Sequence, residues 1–151
     1  MFVENLDKKN IILIDTADKE TILKKLCGII YASGNVESEK LLEEKIFHRE
    51  SLMSTGIGLG IGVPHVRCKE VKNIALAMAV AKTPISDYKS IDGSPVRIVI
   101  MIIVPEKKHR QHIQILNDIV QILKNDKKRT SILAAKTPDE IYNVLQEKGS
   151  N

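Results

Sequence analysis

The residues best suited to chemistry lie in the stretch Gly56-Ile57-Gly58-Leu59-Gly60-Ile61-Gly62-Val63-Pro64-His65, which alternates with period two. If it is extended, Ile57, Leu59, Ile61 and Val63 share one face while Gly56, Gly58, Gly60 and Gly62 leave the other bare. A bare face admits a backbone, a ligand or a partner protein, although the glycines alone favour a strand or bulge packed closely against a helix. The phosphate-binding Walker pattern lacks its Gly-Lys-Ser/Thr ending here, and the dinucleotide pattern fails because Ile61 and Val63 stand where the third glycine would fall. Proline fixes its own backbone angle and biases Val63 away from helix, so the imidazole of His65 is presented at a stiff point just after the strand. A neutral imidazole there suits phosphoryl acceptance or general-base work. The residues alone leave open a second role, a histidine at the core edge bonded to a backbone carbonyl.

Two further side chains belong with it. Leu42, Ile46, Arg49 and Met53 are spaced by four, three and four, which sets the Arg49 guanidinium on the apolar stripe of a helix, near its end. Such a cation snorkels to solvent, pairs with a carboxylate, or serves a phosphohistidine dianion. His112 heads the line Ile115, Leu116, Ile119, Val120 and Leu123, in the first turn of another helix, where free N–H groups and the positive dipole end favour an anion. His109 and His112 form a His-x-x-His pair, but no acidic or cysteine residue at suitable spacing completes a metal site, so no metal is expected. His48 lies off the Arg49 line and reads as surface.

The elements that must position these groups follow from apolar periodicity and capping residues. Ile11 to Ile14 reads as a buried strand, and Asp18 caps a helix that ends at Gly34 and Asn35. A second helix runs from Ser38 to about Met53. Ile74 to Val80 reads as a packed strand, Ile85 to Asp92 as a connection, and Asp92-Gly93-Ser94-Pro95 as a turn. Val96 to Val104, polar only at Arg97, is a central strand buried on both faces, and Pro105 ends it. The His112 helix follows, then helices at Thr130 to Ala135 and Pro138 to Gln146, the last capped by Thr137. Interleaved strands and helices predict an α/β (α+β) fold: one domain, residues 1–151 with a core at about 11–146, built as a mixed sheet with helices on both faces. The first few residues and the tail Glu147 to Asn151 read as loose ends.

Composition narrows the function. The chain has 151 residues, 43% hydrophobic and 28% charged, enough to bury one core. Only Phe2, Phe47, Tyr31, Tyr88 and Tyr142 are aromatic, too few for a base-stacking surface. Much of the net charge of +4 comes from Lys127, Lys128 and Arg129, read as a solvated loop, so nucleic-acid binding would rest on a pI of 9.0 alone. Cys27 and Cys68 have no CxxC spacing and suit a reducing compartment. The longest apolar run, Ile98 to Val104, is far too short to span a bilayer, and a cytoplasmic protein with no direct membrane insertion is expected.

Taken together, Arg49-Glu50-Ser51-Leu52-Met53-Ser54-Thr55-Gly56 through Val63-Pro64-His65, Ile91-Asp92-Gly93-Ser94-Pro95-Val96, Val104-Pro105 and His112 resemble a known family. It is the enzyme IIA component of the fructose/mannitol class of the bacterial sugar phosphotransferase system (EIIA type 2), which includes nitrogen-regulatory paralogues. The resemblance spans about Ile11 to Gln146. It implies a mixed sheet flanked by helices and a phosphohistidine relay without a cofactor. His65 would accept a phosphoryl group from a small histidine-containing phosphocarrier protein and pass it to a cysteine of enzyme IIB. Arg49 would be the active-site arginine and His112 the second histidine. By the same analogy, the ring nitrogen of His65 far from the backbone carries the group. In a nitrogen-type regulator the same histidine would instead control binding to target proteins. Gly62 stands where the family pattern has alanine, Val66 follows the histidine where a small residue is common, and Cys68 reads as structural.

Overall fold

The computed structural model describes residues 1–15 and 18–147. Its sheet is organised around the most apolar segment of the chain, as a nine-residue run with one polar position must be buried on both faces. This is β6 (Val96–Pro105), which runs antiparallel to β5 (Ala75–Ile85), with Met78 opposite Ile100. β1 (Ile11–Ile14) lies parallel to β5 on its far side. On the other edge, β3 (Ile61–Gly62) and β4 (His65–Cys68) both run parallel to β6, end to end, β3 against Ile98 and Val99, β4 against Ile102 to Pro105. β2 (Gly56–Gly58) closes that edge against β3.

Alternation along β5 sorts the core into two layers. Ala75, Ala77, Ala79 and Ala81 face one side, where small side chains let α1 (Lys19–Ala32) and α2 (Glu39–Leu52) pack through Leu23, Leu26, Leu42 and Ile46. Leu76, Met78 and Val80 face the other, against α3 (His109–Leu123), α4 (Asp126–Ala134) and α5 (Pro138–Gln146). Each fully buried Leu or Ile contributes about 1.5–3 kcal/mol. Helix starts are set locally: Asp18, Ser38, Asn125 and Thr137 accept from the backbone N–H of Thr21, Leu41, Lys128 and Glu140. The mixed sheet with helices on both faces and the central position of β6 agree with the sequence.

Four expectations need correction. Residues at the start are not loose: Phe2 is fully buried, and its N–H donates to Asp118 of α3. The other expected loose end falls, after Glu147, outside the described residues. β5 does not stop at Val80 but continues through a register shift to Ile85, because Ile85 reaches the core opposite Val96. The helix placed at Thr130 begins at Asp126. The basic run therefore lies inside α4 and is no solvated loop: Lys128 is buried, its ammonium donating to the carbonyls of Val144 and Glu147, while Arg129 donates to the Leu123 carbonyl. These cations close the C-terminal ends of α5 and α3, where carbonyls lack partners and the dipole is negative.

Candidate functional site

The glycine segment is a hairpin, which corrects the reading of one extended strand. β2 and β3 are joined at Leu59 and Gly60, both left-handed, with φ of 58° and 76°. Two successive left-handed residues make the tight turn that matches strand twist, and Leu59 tolerates the strain because its neighbours hold it there. Leu59 N–H donates to Asp92 Oδ2 at 3.0 Å and Gly60 N–H to Ser94 Oγ at 3.0 Å. The Ser94 hydroxyl first, then the N–H groups of Leu59 and Ser94, hold the Asp92 carboxyl well below the usual carboxylate range. The turn flips the alternation, so Ile57 and Leu59 are exposed whereas Ile61 and Val63 are buried. Nor is the glycine side bare. A methyl group on Gly56 would lie 2.1 Å from the Lys89 carbonyl, and one on Gly62 would lie 2.6 Å from the Tyr88 ring.

Pro64 separates β3 from β4 and still accepts from Ile102 N–H, at 2.9 Å, so the chain keeps its place along β6 while His65 opens the second strand. The half-buried ring turns back on its own chain, with Nδ1 2.7 Å from the Val63 carbonyl. A carbonyl can only accept, so in the neutral ring the proton sits on Nδ1 and the lone pair on Nε2. The bond to a backbone carbonyl considered for His65 is thus met at Nδ1, while Nε2 makes no hydrogen bond among the described residues. Burial above all, and the Arg49 charge, push the His65 pKa down, against the Val63 hydrogen bond and Glu50, which push it up. The ring is neutral at pH 7.

His112 stands beside it, the ring centroids 4.9 Å apart and the planes inclined by 64°. It is 8% exposed, and its Nε2 is buried with no hydrogen-bond partner. Its backbone N–H donates to the carbonyl of Lys108, the residue that precedes α3. Desolvation, then His65, Arg67 and His109, push its pKa down to about 4. Arg49 donates through Nη1 to Met53 O at 2.8 Å, and its guanidinium lines two hollows that flank His65. One, of about 440 Å³, is walled by Met53, Ile57 and Ile91; the other, of about 350 Å³, by Arg67, His109 and His112. The structure therefore brings His65, Arg49 and His112 together. His48 is exposed, and Cys68 is partly buried with its thiol pKa pushed up by that burial. Among the described residues, no group of three His, Cys, Asp or Glu side chains is placed to hold a metal, and no helix is long and apolar enough to cross a membrane.

Sequence reasoning missed Glu50, Thr55 and Tyr88. Glu50 lies four residues after buried Ile46, so helical spacing already placed it on the inner side of α2. Nothing local marks Thr55 and Tyr88, which meet it only in the folded chain.

Three likenesses bear on this geometry. The fructose-specific EIIABC component of the phosphotransferase system of Bacillus subtilis (strain 168) is 32% identical over 134 residues, which cover 89% of this chain and 21% of that protein. The chain thus spans about a fifth of the length of that relative. Nitrogen regulatory protein IIA-Ntr from Neisseria meningitidis superposes with a TM-score of 0.86 at 24% identity, over 95% of this chain and 98% of that one. The complex of enzyme IIAMtl and phosphorylated enzyme IIBMtl from Escherichia coli gives a TM-score of 0.76 at 22% identity, over 93% and 96% of the two chains. The last two share the fold. The sequence model of the phosphoenolpyruvate-dependent sugar phosphotransferase system, EIIA 2, matches residues 4–148, and the chain belongs to that family.

Proposed function

We propose that this chain is a cytoplasmic phosphocarrier of the fructose/mannitol class, with His65 as the phosphoryl acceptor. The observation that carries this reading is the bond from His65 Nδ1–H to Val63 O, which leaves Nε2 as the nucleophile. The Nε2 lone pair attacks phosphorus on the phosphohistidine of a small carrier protein. The donor's P–N bond breaks, and its electron pair returns to the donor ring. His65 now carries phosphorus on Nε2 and a proton on Nδ1, so the ring is cationic and the Val63 carbonyl stabilises it. Arg49 offsets the charge of the phosphoryl oxygens, and His112 Nε2 meets them from the other side. In the return step a cysteine thiolate of enzyme IIB attacks phosphorus, and the electron pair of the P–Nε2 bond goes back to His65. No metal or cofactor enters either step.

Transfer between proteins needs a face that excludes water when a partner docks. Met53 and Ile91, 71% and 85% exposed beside the larger hollow, supply apolar area for it, together with Leu52 and Ile57. The Escherichia coli neighbour is held with phosphorylated enzyme IIBMtl, which supports enzyme IIB as the acceptor. The test is incubation with phosphorylated histidine carrier, then with enzyme IIB. Labelling at His65 followed by loss of label to the IIB cysteine is the expected result. Labelling without onward transfer would identify a nitrogen-type regulator, and label absent from His65 would overturn the reading.

A further inference from the structure

We infer that Glu50, Thr55 and Tyr88 are positioning residues, a buried hydrogen-bonded brace that sets the tautomer and pose of the His65 ring through the backbone of Thr55 and Val63. This rests on the reading of His65 as the phosphoryl acceptor.

Glu50 sits in the last turn of α2, where the dipole is unfavourable to an acid, and its side chain is only 5% exposed. Its compensation is incomplete: Oε1 receives Thr55 Oγ1 at 2.8 Å and Lys19 Nζ at 3.2 Å, while buried Oε2 has no partner. A carboxylate in such a place is costly and stabilises the fold poorly, so positioning is the role its contacts support. The direction of the chain follows from donor chemistry. An ionised carboxylate only accepts, so the Thr55 hydroxyl spends its proton on Glu50. The Tyr88 hydroxyl, 2.6 Å away, must then donate to Thr55 Oγ1. Lys19 Nζ also lies 4.4 Å from the centre of the Tyr88 ring, which holds that ring from its outer face.

What the brace holds is the backbone behind the histidine. Thr55 O accepts from Val63 N–H at 3.0 Å, and Val63 O accepts from His65 Nδ1 at 2.7 Å. Tyr88 also packs on Gly62, where even a methyl group would collide with its ring. Residues on both sides of the Gly62–Val63 peptide are therefore anchored to one network, and the carbonyl that selects the Nδ1–H tautomer inherits its position from Thr55. If Thr55 shifts, the Val63 carbonyl turns, the ring is free to place its proton on Nε2, and the nucleophile is lost.

The test reads the ring directly. In uniformly ¹⁵N-labelled protein, the ring nitrogen shifts of His65 report the tautomer, and potassium phosphoramidate serves as a small phosphodonor that needs no docking partner. The wild type should show the Nδ1–H form alone. Thr55→Val, Glu50→Gln and Tyr88→Phe should each populate the Nε2–H form and slow labelling of His65 by roughly tenfold or more, as misplacement of a reacting atom does. Thr55→Ser, which keeps the hydroxyl, should restore both readouts. If Thr55→Val does not fold, Tyr88→Phe, which keeps the Thr55–Glu50 bond, carries the measurement. Folded variants with the wild-type tautomer and labelling rate would overturn the brace. Wild-type protein that phosphoramidate labels elsewhere than at His65 would overturn the proposed function instead, and the tautomer shifts would still decide the brace.

Discussion

Arg49 and the pair Lys128–Arg129 are cations in helices that reach carbonyls at helix ends, but their donors are used differently. At the α4–α5 corner, Lys128 meets two carbonyls of the α5 end, and Arg129 meets the Leu123 carbonyl and Asp126. Beside His65, Arg49 spends one hydrogen bond on Met53 O, and its guanidinium borders both hollows without a salt bridge among the described residues. His112 repeats that contrast within the site, since its buried Nε2 is unpartnered whereas buried Asn10 donates to Leu76 O. A buried polar atom left unsatisfied costs about 1–3 kcal/mol. The fold bears such a cost at His112 beside His65 and avoids it at the corner, and under the proposed function the groups beside His65 are the ones that meet an anion.

Substitutions can break this comparison. The largest effect should come from His65→Ala, which is expected to abolish phosphoryl acceptance, read as the mass gain after incubation with phosphorylated carrier, with little change in Tm. Arg49→Ala should slow transfer by about a hundredfold, the scale of removing one charge-stabilising donor, and leave Tm nearly unchanged. Equal loss of rate and stability would place Arg49 with the corner cations. Lys128→Ala should do the reverse, lowering stability in denaturant titration by about 1–3 kcal/mol through the orphaned carbonyls and leaving labelling intact.

The smallest effect concerns pH. The folded pKa of His112 is about 4, below its ordinary 6.5. Between those values the unfolded chain binds a proton that the folded chain refuses. Stability is fully present above about pH 6.5 and declines as pH falls toward 4. The depressed pKa of His65 acts in the same direction. His112→Leu should flatten the slope; an unchanged slope would mean that other groups carry it.

Much of the architecture was legible because its causes are local. The unbroken apolar run made β6, and Asp18, Ser38 and Thr137 announced helix starts by the side-chain bonds they make three residues on. Val63-Pro64-His65 pointed to a presented imidazole for the same reason, as proline restrains its neighbours directly. The hairpin was not legible. Gly and apolar residues alternate equally well through a straight strand or a two-residue turn, and Asp92 and Ser94, more than thirty residues on, hold the turn in place. The basic run misled because its acceptors belong to other helices.

By itself, then, the sequence determined most of the helices, the central strand, and that a histidine follows a rigid break after the glycine segment, because periodicity, capping and proline act over a turn or two of chain. Tertiary structure alone decided that His112 faces that histidine, that Arg49 keeps donors to spare, and that Glu50 is locked to Thr55 while Tyr88 covers Gly62. Desolvation and hydrogen-bond satisfaction depend on groups far apart in sequence, and only folding brings those groups within reach.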